Sequence, residues 1–96
     1  MPERTVEIRN PSGLHARPAA IFVKAAAGYA ADVRLANLDR DADKLVSAKS
    51  VLGVLGAGVS RGHRIRLVAD GADAETALEG LSGLIAAGLG EEIAQG

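Results

Sequence analysis

The chain has 96 residues, 11 lysines and arginines against 12 aspartates and glutamates, no cysteine, no tryptophan, and one phenylalanine and one tyrosine. That length predicts a single small domain over 1–96, and the missing cysteine excludes disulfides and thiolate metal sites. A net charge of −1 with almost no aromatics argues against a nucleic-acid binder, which needs a basic surface and stacking residues.

In chain order, the N-terminus MPERTVEIRN is charged from its third residue and lacks the apolar core of a signal peptide. No apolar stretch is long enough to span a bilayer, so a cytoplasmic protein without membrane insertion is expected. Residues 5–9, TVEIR, alternate with Val6 and Ile8 on one face, which predicts a half-buried strand. Residues 10–13, NPSG, carry turn chemistry. Over 17–27 the period changes: Ala19, Phe22, Val23 and Ala26 fall on one helical face, and Gly28 suits the stop. Residues 32–35 alternate again, 37–43 (NLDRDAD) form a charged turn, and 44–48 form a short strand with Val46 and Ala48 on one side. Ser50 then caps a short helix, VLGVLGAG, weakened by Gly53 and Gly56. Residues 63–69 are the clearest strand, with Ile65, Leu67 and Ala69 facing in.

Asp73 is expected to cap the last helix, whose stripe is Ala74, Ala77, Leu78, Leu81, Leu84 and Ile85. Gly80 and Gly83 each cost it about 1 kcal/mol relative to alanine, so packing must hold it. Gly88 and Gly90 end it, and residues 89–96 are expected to fray. The order is β-α-β-β-α-β-α, without internal repeat or linker. One sheet layer under one helix layer satisfies every apolar face. The other sheet face is left to water, as Glu7, Arg9, Arg34, Arg64 and Arg66 suggest.

His15 stands immediately before the first helix. Pro18 biases Arg17 away from helical torsions yet is tolerated in a first turn, so the helix should begin between Ala16 and Pro18. Free amides and the positive dipole end then point toward the imidazole. That place is poor for a cation and good for an anion, and it would stabilise a phosphoryl group carried on the ring. Arg17 can add a planar donor fork suited to phosphate oxygens. Ser12 and Gly13 let the loop turn beside the site. By spacing alone, a lone histidine here is more often a surface or capping residue.

Ser12-Gly13-Leu14-His15-Ala16-Arg17-Pro18-Ala19 resembles the active-site signature of HPr, the histidine phosphocarrier of the bacterial sugar phosphotransferase system. Lys49-Ser50-Val51-Leu52-Gly53-Val54-Leu55 resembles that family's second motif, and Gly71-Ala72-Asp73 followed by Ala77-Leu78 resembles its last helix start. The resemblance runs over residues 4–88. It implies an α+β open-faced β-sandwich, a four-stranded antiparallel sheet covered on one side by three helices.

It also implies a phosphoryl carrier rather than an enzyme. His15 would take a phosphoryl group on its δ nitrogen from enzyme I, charged by phosphoenolpyruvate, and give it to an enzyme IIA component. Arg17 would steady the phosphate, with Ser12 and Ala16 in its environment. Val51 and Val54 form one stripe of that helix and Leu52 and Leu55 the adjacent one; Leu52 and Leu55 would form an exposed docking patch rimmed by Ala16, Ala20, Lys24 and Lys49, and the alternative is that all four are core. Lys24 and Lys49 could meet acidic partner surfaces, although isolated lysines are usually only solvated. Ser50 matches a serine that a kinase phosphorylates in some bacteria, but serine is also a preferred helix cap, the favoured role here. No metal or cofactor is expected, His63 has no assigned role, and a monomer is expected.

Two departures from the family stand out. The charged turn over 37–43 is longer than typical, and Ala48 replaces a larger apolar residue, which predicts a looser core under the second helix. The longer turn leaves open the phosphoryl-donor subunit of a dihydroxyacetone kinase system. From another class, a non-catalytic regulatory or ligand-binding α/β module also stays open.

Overall fold

The computed structural model describes residues 2–91. Its elements are β1 (Glu3–Glu7), α1 (Ala16–Ala27), β2 (Asp32–Asn37), β3 (Val46–Ser47), α2 (Val51–Gly56), β4 (Arg64–Asp70) and α3 (Ala74–Ala86). The four strands form one sheet in the order β1-β4-β2-β3, and every pairing is antiparallel. With three helices this is the open-faced α+β sandwich that the order of elements predicts.

Alternation in the strands sets the inner face. Register places Val33 opposite Ala69 and Leu35 opposite Leu67, with Val6 and Asn37 flanking Ile65. Val33, Leu35, Ile65, Leu67 and Ala69 are all fully buried. The helices close on them through Ala19, Phe22, Val23 and Ala26 of α1, Val54 of α2, and Ala74, Ala77, Leu78, Leu81 and Ile85 of α3. Leu84 of the expected α3 stripe is only half-buried, at the edge of this core.

The opposite face is less bare than its charges suggest. Ala36 and Val68 alternate onto it, yet both are buried. Leu45 and Arg34 share a groove with Val68, so an apolar side chain and an arginine stem cover what the pleat exposes. The ion pairs here, Arg34 with Asp32 at 2.9 Å and Arg66 with Glu3 at 3.9 Å, are solvent-exposed and add little to stability.

Several local readings shift. β1 ends at Glu7 rather than residue 9, although Ile8 is fully buried and still donates to the His63 carbonyl. β3 shrinks to the two residues Val46 and Ser47, although the Ala48 amide still donates to the Val33 carbonyl of β2 at 2.8 Å. Gly28 does terminate α1, but in a right-handed conformation: its amide returns to the Ala25 carbonyl at 3.1 Å and the Tyr29 amide to that of Ala26 at 3.2 Å. Asp73 precedes α3 without capping it: its carboxylate accepts from the Ala30 and Ala31 amides at 2.9 and 2.7 Å. Asp73 thus ties the α1–β2 loop to the start of α3.

The end of the chain is also tied down as far as it is described. Leu89, within the segment expected to fray, is fully buried, and Glu91 bonds across to the loop after β1. Residues 92–96 lie outside the described residues.

The two mid-helix glycines of α3 have different reasons. A Cβ on Gly80 would overlap the Tyr29 hydroxyl, whereas one on Gly83 would meet open space. Gly83→Ala should therefore stabilise the fold by about 0.5–1 kcal/mol in urea denaturation. Gly80→Ala should lose that gain to displacement of the Tyr29 ring.

Candidate functional site

The loop from β1 to α1 is held by its own side chains. The Gly13 amide donates to the Asn10 carbonyl, and the buried Asn10 side-chain amide donates to the Gly13 carbonyl at 2.9 Å. Gly13 itself adopts φ +62, a left-handed torsion that favours glycine. A Cβ there would overlap the Val59 carbonyl and lie 2.7 Å from the Ser60 Cα. The Leu14 amide donates to the same Val59 carbonyl at 3.0 Å, and the Leu14 side chain is fully buried. The residues before His15 are thereby pressed onto the α2–β4 loop.

That backing loop is fixed in turn. His63 Nδ1 accepts from the Ser60 amide and from the Asn37 side-chain amide, both at 3.1 Å, which leaves the ring hydrogen on Nε2. Asn37, buried at the end of β2, also donates to the Ala57 carbonyl at 3.2 Å. His63 is therefore a strut behind the histidine loop, a role that its place at a strand opening did not suggest.

His15 is the N-cap residue of α1, with φ −125 and ψ 160, and its ring makes no capping hydrogen bond. It is half-buried, and the helix begins at Ala16, within the expected interval. Ala16 carries φ +48, a torsion that costs a non-glycine residue about 1–2 kcal/mol. Pro18 is buried in the first turn, where its missing N–H leaves nothing unpaired. The amides of Ala16 and Arg17 have no protein acceptor among the described residues. Arg17 is exposed and forms no ion pair among them. A half-open imidazole thus sits at a helix end with free donors, beside a free guanidinium.

The other expected residues divide. Ala16, Ala20 and Lys24 are exposed and spaced by four, so they line one outer stripe of α1. Leu52 and Leu55 are 83% and 37% exposed, whereas Val54 is fully buried. Val51, which the sequence pairs with Val54, is 45% exposed instead, because a helix of six residues plants only one side chain in the core. Ala48 is buried beneath that helix. Lys49 is not free at a rim: its ammonium donates to the Tyr29 carbonyl at 2.7 Å. Ser12 is exposed, but the Glu91 carboxylate takes its amide at 2.9 Å and its hydroxyl at 2.7 Å.

Ser50 caps α2, its hydroxyl accepting from the Gly53 amide at 3.1 Å. Ser50→Ala should cost about 1 kcal/mol in urea denaturation. No group of three potential metal ligands occurs among the described residues.

Three carboxylates are held below the ordinary range. Hydrogen bonds from the Arg64 amide lower Asp39, those from the Ala30 and Ala31 amides lower Asp73, and those from Asn10 and Ser12 lower Glu91. A native value below the unfolded one means that the unfolded chain binds more protons between the two. Their stabilisation is complete above the ordinary carboxylate values and is lost as pH falls through the native ones. Urea midpoints should therefore fall as the pH drops below about 4, less steeply in Asp73→Asn.

Comparison with known proteins agrees with this arrangement. The family model "PTS HPr component phosphorylation site" matches residues 2–87. The chain is 46% identical over 91 residues to phosphocarrier protein HPr of Streptomyces coelicolor, covering 95% of each. The crystal structure of HPr-C-His from Thermoanaerobacter tengcongensis superimposes with a TM-score of 0.88 at 42% identity, covering 97% of this chain and 100% of that one. A multiphosphoryl transfer protein of Haemophilus influenzae is 45% identical over 89 residues, 93% of this chain, but the chain spans only 18% of its length. Fold, motif and relatives together define a phosphocarrier component of the phosphotransferase system. The chain belongs to the HPr family.

Proposed function

We propose that this chain accepts a phosphoryl group on His15 from phosphorylated enzyme I and passes it to an enzyme IIA component, working in the cytoplasm. The observation that carries the reading is His15 at the start of α1: half-open, free of any capping bond, and next in the chain to the Ala16 and Arg17 amides, which have no acceptor among the described residues. Loading forms a bond from an imidazole nitrogen to phosphorus as the bond from phosphorus to the donor breaks. Free amides and the helix dipole stabilise the added negative charge. Arg17, in no ion pair among the described residues, supplies the planar fork for two phosphate oxygens.

The resulting phosphoramidate is labile, which suits a group in transit. Leu52, Leu55 and the half-exposed Val51 supply an apolar patch on α2, and Ala20 and Lys24 line α1, which packs against it. Lys49 takes no part in docking on this reading, because its ammonium is already committed to Tyr29. Ser50 serves first as a cap; a kinase would have to break its bond to Gly53.

The test is incubation with phosphoenolpyruvate and enzyme I, followed by intact-mass measurement. One acid-labile phosphate per chain is expected. No uptake from any competent enzyme I overturns the reading.

A further inference from the structure

The donors of Ser12 are already occupied. Glu91 Oε1 accepts from the Ser12 amide and from the Asn10 side-chain amide, both at 2.9 Å, while Oε2 accepts from the Ser12 hydroxyl at 2.7 Å. The carboxylate therefore grips the histidine loop with both oxygens, from a residue 79 positions away in sequence. Its reach is set by Leu89, fully buried two residues earlier, and by the Glu91 amide, which donates to the Gly88 carbonyl at 2.9 Å. The grip is anchored at the other end too. Asn10 is fully buried and spends its second amide hydrogen on Gly13, so the loop cannot carry its donors elsewhere.

We propose that Glu91 is the resident anion of the His15 loop, holding the Ser12 amide and hydroxyl in the unphosphorylated chain and yielding them to the phosphoryl group on His15. This rests on the carrier reading above. A carboxylate and a phosphoryl group seek the same charge-assisted donors. Two anions gathered at one short loop also repel each other, so loading His15 and retaining the Glu91 contact oppose one another. Linkage then makes the effect reciprocal: Glu91 holds down the stability of phosphohistidine, and the phosphoryl group loosens Glu91. Glu91 acts through Ser12 and is a positioning residue, one that tunes how readily the carrier gives its phosphate away.

The experiment measures the phosphoryl-transfer equilibrium between the full chain and enzyme I at a fixed ratio of phosphoenolpyruvate to pyruvate. Glu91→Ala should move it toward the phosphorylated carrier by about fivefold or more, the lower range for coupled sites. Glu91→Gln, which keeps the shape and removes the charge, should move it the same way by less. In a Ser12→Ala background the Glu91→Ala shift should disappear. An unchanged equilibrium in Glu91→Ala, or an equal shift with and without Ser12, overturns the proposal while leaving the carrier reading intact. A wild-type chain that takes up no phosphate overturns both.

Discussion

His15→Ala should take up no acid-labile phosphate from enzyme I, while its urea midpoint stays close to that of the wild type. The two halves of that result have separate causes. Alanine offers no nucleophile, and no other histidine can substitute, since His63 Nδ1 is occupied by Ser60 and Asn37 behind the loop. Stability should change little because the His15 ring makes no capping hydrogen bond and is only half-buried. The helix start is fixed instead by its neighbours: buried Leu14 on one side, and buried Pro18 and Ala19 on the other. Intact-mass analysis and equilibrium denaturation of the same sample check both halves. Full phosphate uptake by His15→Ala would move the acceptor elsewhere.

Gly13→Ala should damage both stability and transfer. The added methyl must adopt φ +62, costing about 1–2 kcal/mol by itself. It also overlaps the Val59 carbonyl and crowds the Ser60 Cα, backbone atoms that cannot rotate away. Moving Val59 loosens its bond from the Leu14 amide, and moving Ser60 disturbs the amide that His63 holds. A loss on the order of 2 kcal/mol or more is expected in urea denaturation. The rate of phosphate uptake should fall about tenfold or more, since small misplacements of a reacting group are costly. A variant with wild-type stability and rate would show that the loop rests on the α2–β4 turn without depending on it.

Much of the fold can be read from local pattern, because local pattern is what dictates it. The period-2 alternation at Ile65, Leu67 and Ala69 picks the inner sheet face without reference to other elements, and all three are fully buried. The helical stripe from Ala74 to Ile85 does the same for α3, losing only Leu84 to the core edge. Ser50 caps α2 because a serine hydroxyl needs only an amide three residues on.

Where the reading fails, the deciding partner is far away in sequence. Asp73 has the residue type and position of a cap, yet the Ala30 and Ala31 amides, 43 and 42 positions distant, outcompete its own helix. Lys49 reads as a free surface charge until the Tyr29 carbonyl arrives across the fold. Ser12 is legible as a loop donor, but no periodicity or motif points to a tail glutamate as its acceptor. Val51 misleads for another reason: a stripe argument assumes a helix long enough to have faces, and α2 has six residues.

The left-handed torsion at Ala16 also narrows what this position can become. Gly13, three residues before it, is wedged against backbone, and Pro18, two residues after it, has a ring-locked φ, so the chain on either side has little freedom to relax. Alanine there bears a torsional cost that glycine would remove and asparagine or aspartate would lower. Aspartate would set a fixed negative charge next to the incoming phosphate. A substitution at this exposed joint is thus judged by its backbone torsion before its contact with solvent.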